Sequence, residues 1–276
     1  MFTVESITDF ADPRLAPFRN MRVQIDHLND GVFVAEGEKV VRRLVESSLE
    51  IVSVLLPPKW QPEYEALLAA RPERVDLFVA PKEVLEQLTG FSMYQGVLGL
   101  GRVPKIATME QMLALPGPRL FVALDGLSGA ENAGAVVRNA VAFGSQALIV
   151  GEMSSHPYLR RAVRGSMGTV FKLSYLLATD LPETLRQLRA GGICCVAAHP
   201  HTDQATLWDL DLTGDLCLVL GSEGNGIRPE VLAACDTAAV IPMHAGVDSL
   251  NVAAASAVCF AEVQRQRSRR WDSPRL

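Results

Sequence analysis

The chain lacks a long apolar segment. No stretch reaches the roughly 18 consecutive apolar residues that a membrane-spanning helix needs. The N-terminal MFTVESITDFADPR carries acidic residues, whereas a secretory signal carries lysine or arginine before its apolar part. The sequence therefore predicts a soluble, cytoplasmic protein.

Cysteine is scarce and shows no ligand spacing. The five cysteines lie inside apolar stretches, and none forms a C-x-x-C pair. This predicts buried free thiols rather than a zinc site or a disulfide framework. His199 and His201 flank Pro200, but two histidines without further ligands make a weak metal site, so we predict no metal. The cysteines are Cys194, Cys195, Cys217, Cys235 and Cys259.

An excess of basic charge is also missing, since the net charge is −5. Such a chain does not coat nucleic acid indiscriminately, although a local basic surface remains compatible with it. Two arginine clusters could form one, yet a solvated face or a helix end explains each of them as well, and is the favoured interpretation of the second. They are Arg160, Arg161 and Arg164, and near the C-terminus Arg265, Arg267, Arg269 and Arg270.

Internal repeats and low-complexity tracts are absent as well, and 276 residues suffice for two domains of roughly 100–200 residues each. Residues 31–56 predict a strand, a helix and a second strand, and similar units continue to a final strand near Val103. A short helix, TMEQMLAL, lies between two prolines. We predict a first domain at 1–104, beginning with a helical extension, a linker at 105–118 and a second domain at 119–276.

The second domain alternates continuous apolar strands with helices. This pattern predicts an α/β fold with a mainly parallel sheet that is covered on both faces. The last element, SLNVAAASAVCFAEVQRQR, predicts a helix whose small residues allow very close packing against a neighbour.

The first candidate motif is LDGLSGAENAGAVVRNAVAFG, a strand that leads through a glycine-rich turn into a helix. A helix N-terminus with small neighbours can bind an anion, and Arg138 near its start adds a bidentate phosphate grip. Small residues after a strand are also common in ordinary βα packing. This motif alone leaves both interpretations open.

The second motif, LCLVLGSEGNGIRPE, places Gly221, Gly224 and Gly226 around Glu223 after a predicted strand. Glycines allow backbone groups to approach a ligand at the end of a strand. The motif is neither a Walker loop nor a dinucleotide fingerprint. The acid would repel phosphate, which favours a cationic or hydroxyl-bearing ligand, while a tight turn before Pro229 explains the same residues without a ligand.

The third motif, AAVIPMHAGVDSLNVAAASAVCF, carries a strand that ends at Pro242 and a loop that leads to Ser249 and Asn251. Both side chains are ordinary helix-capping residues. Capping alone could account for them.

Together the three motifs resemble, in order and spacing, those of the SpoU (TrmH-like) branch of the SPOUT methyltransferases. The resemblance implies an RNA 2′-O-ribose methyltransferase with S-adenosylmethionine as cofactor, a deep trefoil knot near the C-terminus, and a homodimer with the sites at its interface. Glu131 departs from the family's usual proline, which affects the shape of the loop but removes no functional side chain. The matching residues are Asn132, Gly134 and Arg138, the run G-S-E-G-N-G-I, and I-P-M followed by S-L-N-V-A.

The resemblance also implies residue roles. The family's usual account makes the motif-one arginine, here Arg138, the general base, but guanidinium groups are normally permanently protonated. This arginine could equally clamp a phosphate and orient the ribose, so the identity of the base stays open. Matching the cofactor contacts are Gly221, Ile241, Met243 and Leu250, and matching the active-site set are Asn132, Arg138, Glu223, Ser249 and Asn251.

Residues 25–103 resemble the ribosomal-protein-L30e-like domain attached to many rRNA methyltransferases of this family, through FVAEGEKVVRRLVESSLEIVSVLL and YQGVLGLG. Such domains recognise structured RNA by shape, which predicts 23S-type rRNA as the substrate, with tRNA as the alternative. Two other classes are a non-catalytic RNA-binding or ribosome-assembly protein and a Rossmann-type nucleotide-binding enzyme. The sequence lacks the phosphate-binding fingerprints that the Rossmann-type alternative requires.

Overall fold

The computed structural model describes residues 1–20, 24–89, 96–244 and 247–268. The chain forms two compact units, of which the first comprises Met1–Lys105 and Pro157–Lys172. The second comprises Ile106–His156 and the described part of Leu173–Leu276. Tyr94 and Gln95 of the YQGVLGLG segment lie outside the described residues.

The first unit contains a five-stranded mixed sheet with short helices. Its strands are β1 (Phe2–Ser6), β2 (Val32–Glu36), β3 (Ile51–Leu56), β4 (Val75–Val79) and β5 (Leu98–Arg102). Its helices are α1 (Ala16–Arg19), α2 (Gln24–Asn29), α3 (Glu38–Val45), α4 (Gln61–Leu68), α5 (Lys82–Thr89) and α8 (Arg160–Gly165), with 3-10 turns at Pro13–Leu15, Pro58–Trp60 and Thr169–Lys172. The strand order is β1-β4-β3-β5-β2. β4 runs parallel to β1 and β3, and β5 runs antiparallel to β2 and β3.

The helical extension predicted at the start of the chain begins instead with a strand. β1 contains Thr3 and Val4, whose branched side chains favour extended backbone. Thr3 Oγ1 donates a hydrogen bond to Asp76 Oδ1 on β4 at 2.9 Å, and Ile7 just beyond is buried. The sheet therefore gains an edge strand, and only the later residues of the extension are helical.

The segment Pro157–Lys172 belongs to the first unit, although the sequence places it in the second domain. α8 packs on β2, where Arg160 and Arg164 both form ion pairs with Glu36. Glu36 is 4% exposed, and a buried carboxylate needs such partners. The two units are therefore not separated at one place along the chain.

The second unit contains a seven-stranded sheet. Its strands are β6 (Leu120–Asp125), β7 (Ala147–Val150), β8 (Ser174–Leu177), β9 (Cys194–Ala198), β10 (Ala205–Thr206), β11 (Leu216–Gly221) and β12 (Thr237–Val240). Its helices are α6 (Met109–Leu113), α7 (Ala130–Ala142), α9 (Leu181–Ala190), α10 (Pro229–Ala234) and α11 (Val252–Arg267), with a 3-10 turn at Leu207–Asp209. The order is β10-β12-β9-β11-β6-β7-β8, and every neighbouring pair is parallel. The predicted α/β class with a mainly parallel sheet is confirmed.

The stretch 105–118, predicted as a linker, is mostly part of the second unit. Thr108 and Gln111 form a capping box at the start of α6, and Met112 is fully buried in the core of the unit. Ala107 N–H also donates to Tyr175 O, within β8, at 2.8 Å. These contacts leave little of the segment free to act as a linker.

The small residues of the last helix allow close packing, as predicted. α11 packs along α7, where Asn139 Nδ2 donates to Ala253 O at 2.7 Å and to Ser256 Oγ at 2.9 Å. Ser256 is completely buried. The helices that carry the first and third motifs are therefore held side by side.

Four of the five cysteines are buried free thiols as predicted, but Cys194 at the start of β9 is exposed. Burial raises the pKa of Cys235 and of Cys259 to about 12, so both thiols stay protonated at neutral pH. Within the described ranges, no helix has both the length and the hydropathy to cross a membrane. The same ranges contain no group of three or more histidine, cysteine or acidic side chains arranged to hold a metal ion.

Candidate active site

A cavity of about 260 Å³ lies at the carboxyl edge of the second unit's sheet. The loops that follow parallel strands all begin at the same edge of the sheet, and open α/β sheets bind their ligands there. Segments after β9, β11 and β12 and the start of α11 line the cavity. Its volume is close to the lower end of the roughly 300–1,000 Å³ of small-molecule sites. Six of the predicted site residues line it, namely Gly221, Glu223, Ile241, Met243, Ser249 and Leu250.

The loop 221–226 forms one wall of this cavity. A Cβ atom at Gly221 would lie 2.3 Å from the carbonyl carbon of Gly226, a distance that real side chains do not tolerate. Ser222 and Gly226 exchange two backbone hydrogen bonds of 3.0 Å each, and Gly226 has a φ of +66°. Gly221 and Gly226 are therefore required by a tightly closed loop, whereas a Cβ atom at Gly224 would meet nothing within 4 Å.

Glu223 connects this loop to the third motif. The Asn251 amide donates a hydrogen bond to the Glu223 carboxylate. Asn251 Oδ1 accepts from Ala253 N–H at 2.9 Å and thereby caps α11. Asn251 therefore caps α11 and contacts a cavity residue at the same time.

The two predicted residues of the first motif do not line the cavity. Asn132 is half-buried in the first turn of α7, and Arg138 is exposed one to two turns later. Neither side chain makes a hydrogen bond or ion pair with the described part of the chain. Both groups are therefore available to a ligand outside the cavity.

The cavity carries negative rather than positive charge. Among its described lining residues, Glu223 is the one carboxylate, and none is lysine or arginine. Burial, and secondarily the nearby His201, lowers the pKa of His199, whose Nδ1 accepts a hydrogen bond from His201 N–H at 3.1 Å. His199 therefore stays neutral at pH 7, and the cavity suits a cationic ligand better than a phosphate.

Sequence reasoning did not single out Asp125 and Arg228, which form an ion pair of 2.7 Å beside the cavity loop. Asp125 is completely buried at the end of β6. The two residues lie 103 positions apart, so no local pattern links them. An acid at the end of a buried strand was the available signal, because such a group needs a partner.

The C-terminal arginine cluster is largely structural where the structure describes it. Arg265 pairs with Glu262 at 2.7 Å, and Arg267 donates to backbone oxygens, among them Arg119 O at 2.9 Å. Arg269 and Arg270 lie outside the described residues. Arg265 and Arg267, the described members of this cluster, therefore give no support for a basic RNA-binding surface.

Comparison with known proteins supports the resemblance of the motifs. The family model described as the SpoU rRNA Methylase family matches residues 119–261. A Mycobacterium tuberculosis protein named an uncharacterized tRNA/rRNA methyltransferase is 32% identical over 271 residues, covering 95% of this chain and 92% of its own. The 23S rRNA (guanosine-2′-O-)-methyltransferase RlmB of Ralstonia nicotianae is 34% identical over 204 residues, covering 73% of this chain and 82% of its own.

The fold is shared with a solved structure. An AdoMet-bound rRNA methyltransferase from Sinorhizobium meliloti superposes with a TM-score of 0.82 at 24% identity, covering 95% of this chain and 98% of its own. This agreement extends over both units, and the family match spans all three motifs of the second unit. The Rossmann-type alternative is therefore set aside. The chain belongs to the SpoU rRNA methylase family and is an RNA methyltransferase of that family.

Proposed function

We propose that this protein transfers the methyl group of S-adenosylmethionine to a ribose 2′-hydroxyl of rRNA. The observation that carries the proposal is the convergence of the second and third motifs on one cavity at the carboxyl edge of the sheet. The relative RlmB, named as a 23S rRNA guanosine-2′-O-methyltransferase, supports the ribose hydroxyl as acceptor.

The cavity residues fit S-adenosylmethionine. When bound, this cofactor supplies an electrophilic methyl group on a positively charged sulfur. The Glu223 carboxylate and the lack of lysine and arginine among the described lining residues favour such a cation. Apolar side chains and the close backbone of the loop would hold the rest, and the neighbour from Sinorhizobium meliloti is an AdoMet-bound structure. The holding residues would be Gly221, Ile241, Met243 and Leu250.

The remaining site residues would position the RNA. Methyl transfer to oxygen needs an in-line approach and removal of the hydroxyl proton. Arg138 is exposed and has no partner within the described chain, so its planar guanidinium can grip a phosphate through two hydrogen bonds. Asn132 precedes it on the same helix, where its amide can bind the sugar. The identity of the base stays open, because phosphate binding accounts for Arg138 without loss of its proton.

The groups at the mouth of the cavity have a separate task. The Glu223–Asn251 hydrogen bond joins the loop 221–226 to the N-terminus of α11. Ser249 lies at the same mouth, exposed and lining the cavity. We propose that these three side chains fix the geometry between the methyl donor and the ribose.

The first experiment incubates the protein with methyl-labelled S-adenosylmethionine and separate rRNA and tRNA fractions. We expect label in rRNA, because the L30e-like region proposed in the first unit would select structured RNA by shape. Label in tRNA alone would show that tRNA, and not rRNA, is the substrate. Cofactor binding by calorimetry without transfer would favour the non-catalytic alternative, and absence of both binding and transfer would contradict the proposal.

We further propose that two copies of the chain associate through α11. The face of this helix away from α7 presents small residues at helical spacing, with Ala254 and Ala261 exposed and Ala257 and Val258 partly exposed. A stripe of this kind allows a second helix to approach closely. Light scattering at micromolar concentration should give twice the mass of one chain, and Ala257→Arg should reduce it to one. A single-chain mass for the unaltered protein would count decisively against the dimer.

A further inference from the structure

The strands β6 and β11 end together at the cavity. Asp125, the last residue of β6, lies opposite Gly221, the last residue of β11. The Asp125 side chain is 0% exposed. An ionised carboxylate at such a place is costly unless it is paired and hydrogen-bonded.

Arg228 supplies both kinds of contact to Asp125. Its backbone N–H donates to Asp125 Oδ2 at 2.7 Å, and its Nε donates to Asp125 Oδ1 at 2.7 Å. Its Nη1 donates to Glu152 Oε1 at 2.9 Å. Main chain and side chain of Arg228 are therefore both fixed to the end of β6.

This arrangement fixes both ends of the cavity loop. Gly221 at the start of the loop pairs with Asp125 in the sheet, and Arg228, two residues after Gly226, is bound by the same aspartate. Glu223 lies between these two anchors. We propose that Asp125 and Arg228 are positioning residues, whose ion pair holds the loop 221–226 in the conformation that forms the cofactor cavity.

The chain contains a matched control pair at the opposite end of the same strands. Arg119 precedes β6 and Asp215 precedes β11. Arg119 N–H donates to Asp215 Oδ1 at 2.6 Å and its Nε donates to Oδ2 at 2.9 Å. This pair has the same chemistry, but neither residue lines the cavity.

The test compares Arg228→Gln with Arg119→Gln in the full chain. The affinity for S-adenosylmethionine, measured by calorimetry, should fall roughly tenfold or more for Arg228→Gln, because the apparent affinity falls with the fraction of molecules whose loop keeps the binding conformation. It should stay within about twofold for Arg119→Gln, since that pair supports the far end of the strands. Arg228→Lys should recover part of the affinity, because it keeps the charge but loses the planar fork.

A second measurement needs no cofactor. Amide hydrogen exchange in the peptide 221–228 should accelerate in Arg228→Gln, while Arg119→Gln should accelerate exchange only near the amino ends of β6 and β11. The cofactor part of the inference rests on the proposed function, whereas the exchange comparison does not.

The outcomes separate the two proposals. Failure of the unaltered protein to bind S-adenosylmethionine would contradict the proposed function, and the exchange comparison would still decide whether the pair holds the loop. Unchanged exchange in 221–228 of Arg228→Gln overturns the inference. Should that variant fail to fold, the same comparison is made with Arg228→Lys, and wild-type exchange there overturns it equally.

Discussion

Replacement of Arg138 by alanine is expected to abolish methyl transfer while affinity for S-adenosylmethionine stays within about twofold, since surface changes away from a contact cost little. Arg138 is exposed, does not line the cavity and has no hydrogen-bond or ion-pair partner within the described chain. Its loss should therefore leave the cavity unchanged. The free energy of unfolding should change by no more than about 0.5 kcal/mol. Loss of RNA positioning should reduce the single-turnover rate by roughly 100-fold or more.

Two further variants serve as a control for surface charge and as a test of the role of the guanidinium. Arg186→Ala on α9 removes another surface arginine, whose one ion pair within the described part of the chain is with Glu183 at 2.9 Å, and should retain wild-type transfer. Arg138→Lys keeps the charge but not the planar fork, so retained activity would indicate simple attraction and full loss would indicate bidentate orientation or a proton-accepting role. The pH dependence of single-turnover rates would separate the last two. Wild-type transfer by Arg138→Ala would refute a role for this side chain.

Replacement of Gly221 by alanine is expected to weaken cofactor binding strongly. The added methyl group would meet Gly226 C at 2.3 Å, Gly226 O at 2.4 Å and Ile227 N at 2.6 Å. These atoms belong to the backbone and cannot turn aside as a flexible side chain can, so the loop must move. Overpacking of this kind typically costs about 1–3 kcal/mol, and a cost near the upper end of that range, taken from binding, lowers the affinity for the cofactor by roughly 100-fold.

The control for this variant is Gly214→Ala. A Cβ atom at Gly214 meets nothing within 4 Å, and the residue lies outside the cavity. Its cofactor affinity should equal that of the unaltered protein. Calorimetry and thermal melting on both variants measure the two effects, and unchanged cofactor affinity in a folded Gly221→Ala protein would contradict the assigned place of the loop.

The main elements of the second unit follow from strong local patterns. Continuous apolar runs predict β6 and β11, in which every residue up to the last is buried. β8 has no such pattern, because it is an edge strand in which only Tyr175 is buried. Edge strands face water on one side, so their sequence is less constrained by burial.

Long-range pairing explains what the sequence could not predict. The segment that carries α8 joins the first unit through ion pairs of Arg160 and Arg164 with Glu36, more than 120 residues away. The same limit hid Asp125 and Arg228, since each looks ordinary until the fold brings them together. In contrast, Gly221 and Glu223 lie close together in one sequence motif, so the sequence alone was enough to predict them as site residues.

The site could be predicted in part. The second and third motifs meet at one cavity because parallel strands end at one edge, and this follows from the strand pattern alone. Asn132 and Arg138 lie on α7, outside the lining of that cavity. Their link to it depends on the packing of α7 against α11, which involves contacts over 100 residues apart.

The central claim is that the methyl group goes to a ribose oxygen, and alkaline hydrolysis tests this most directly. Alkali cleaves RNA through attack of each free 2′-hydroxyl on the neighbouring phosphate, so a 2′-O-methylated nucleotide stays joined to the next one. rRNA is methylated with labelled S-adenosylmethionine by the unaltered protein and by Arg138→Ala, and then hydrolysed. We expect the label of the unaltered protein in alkali-resistant dinucleotides and none from the variant. Label recovered only in mononucleotides would place the methyl group on a base and contradict the proposed reaction.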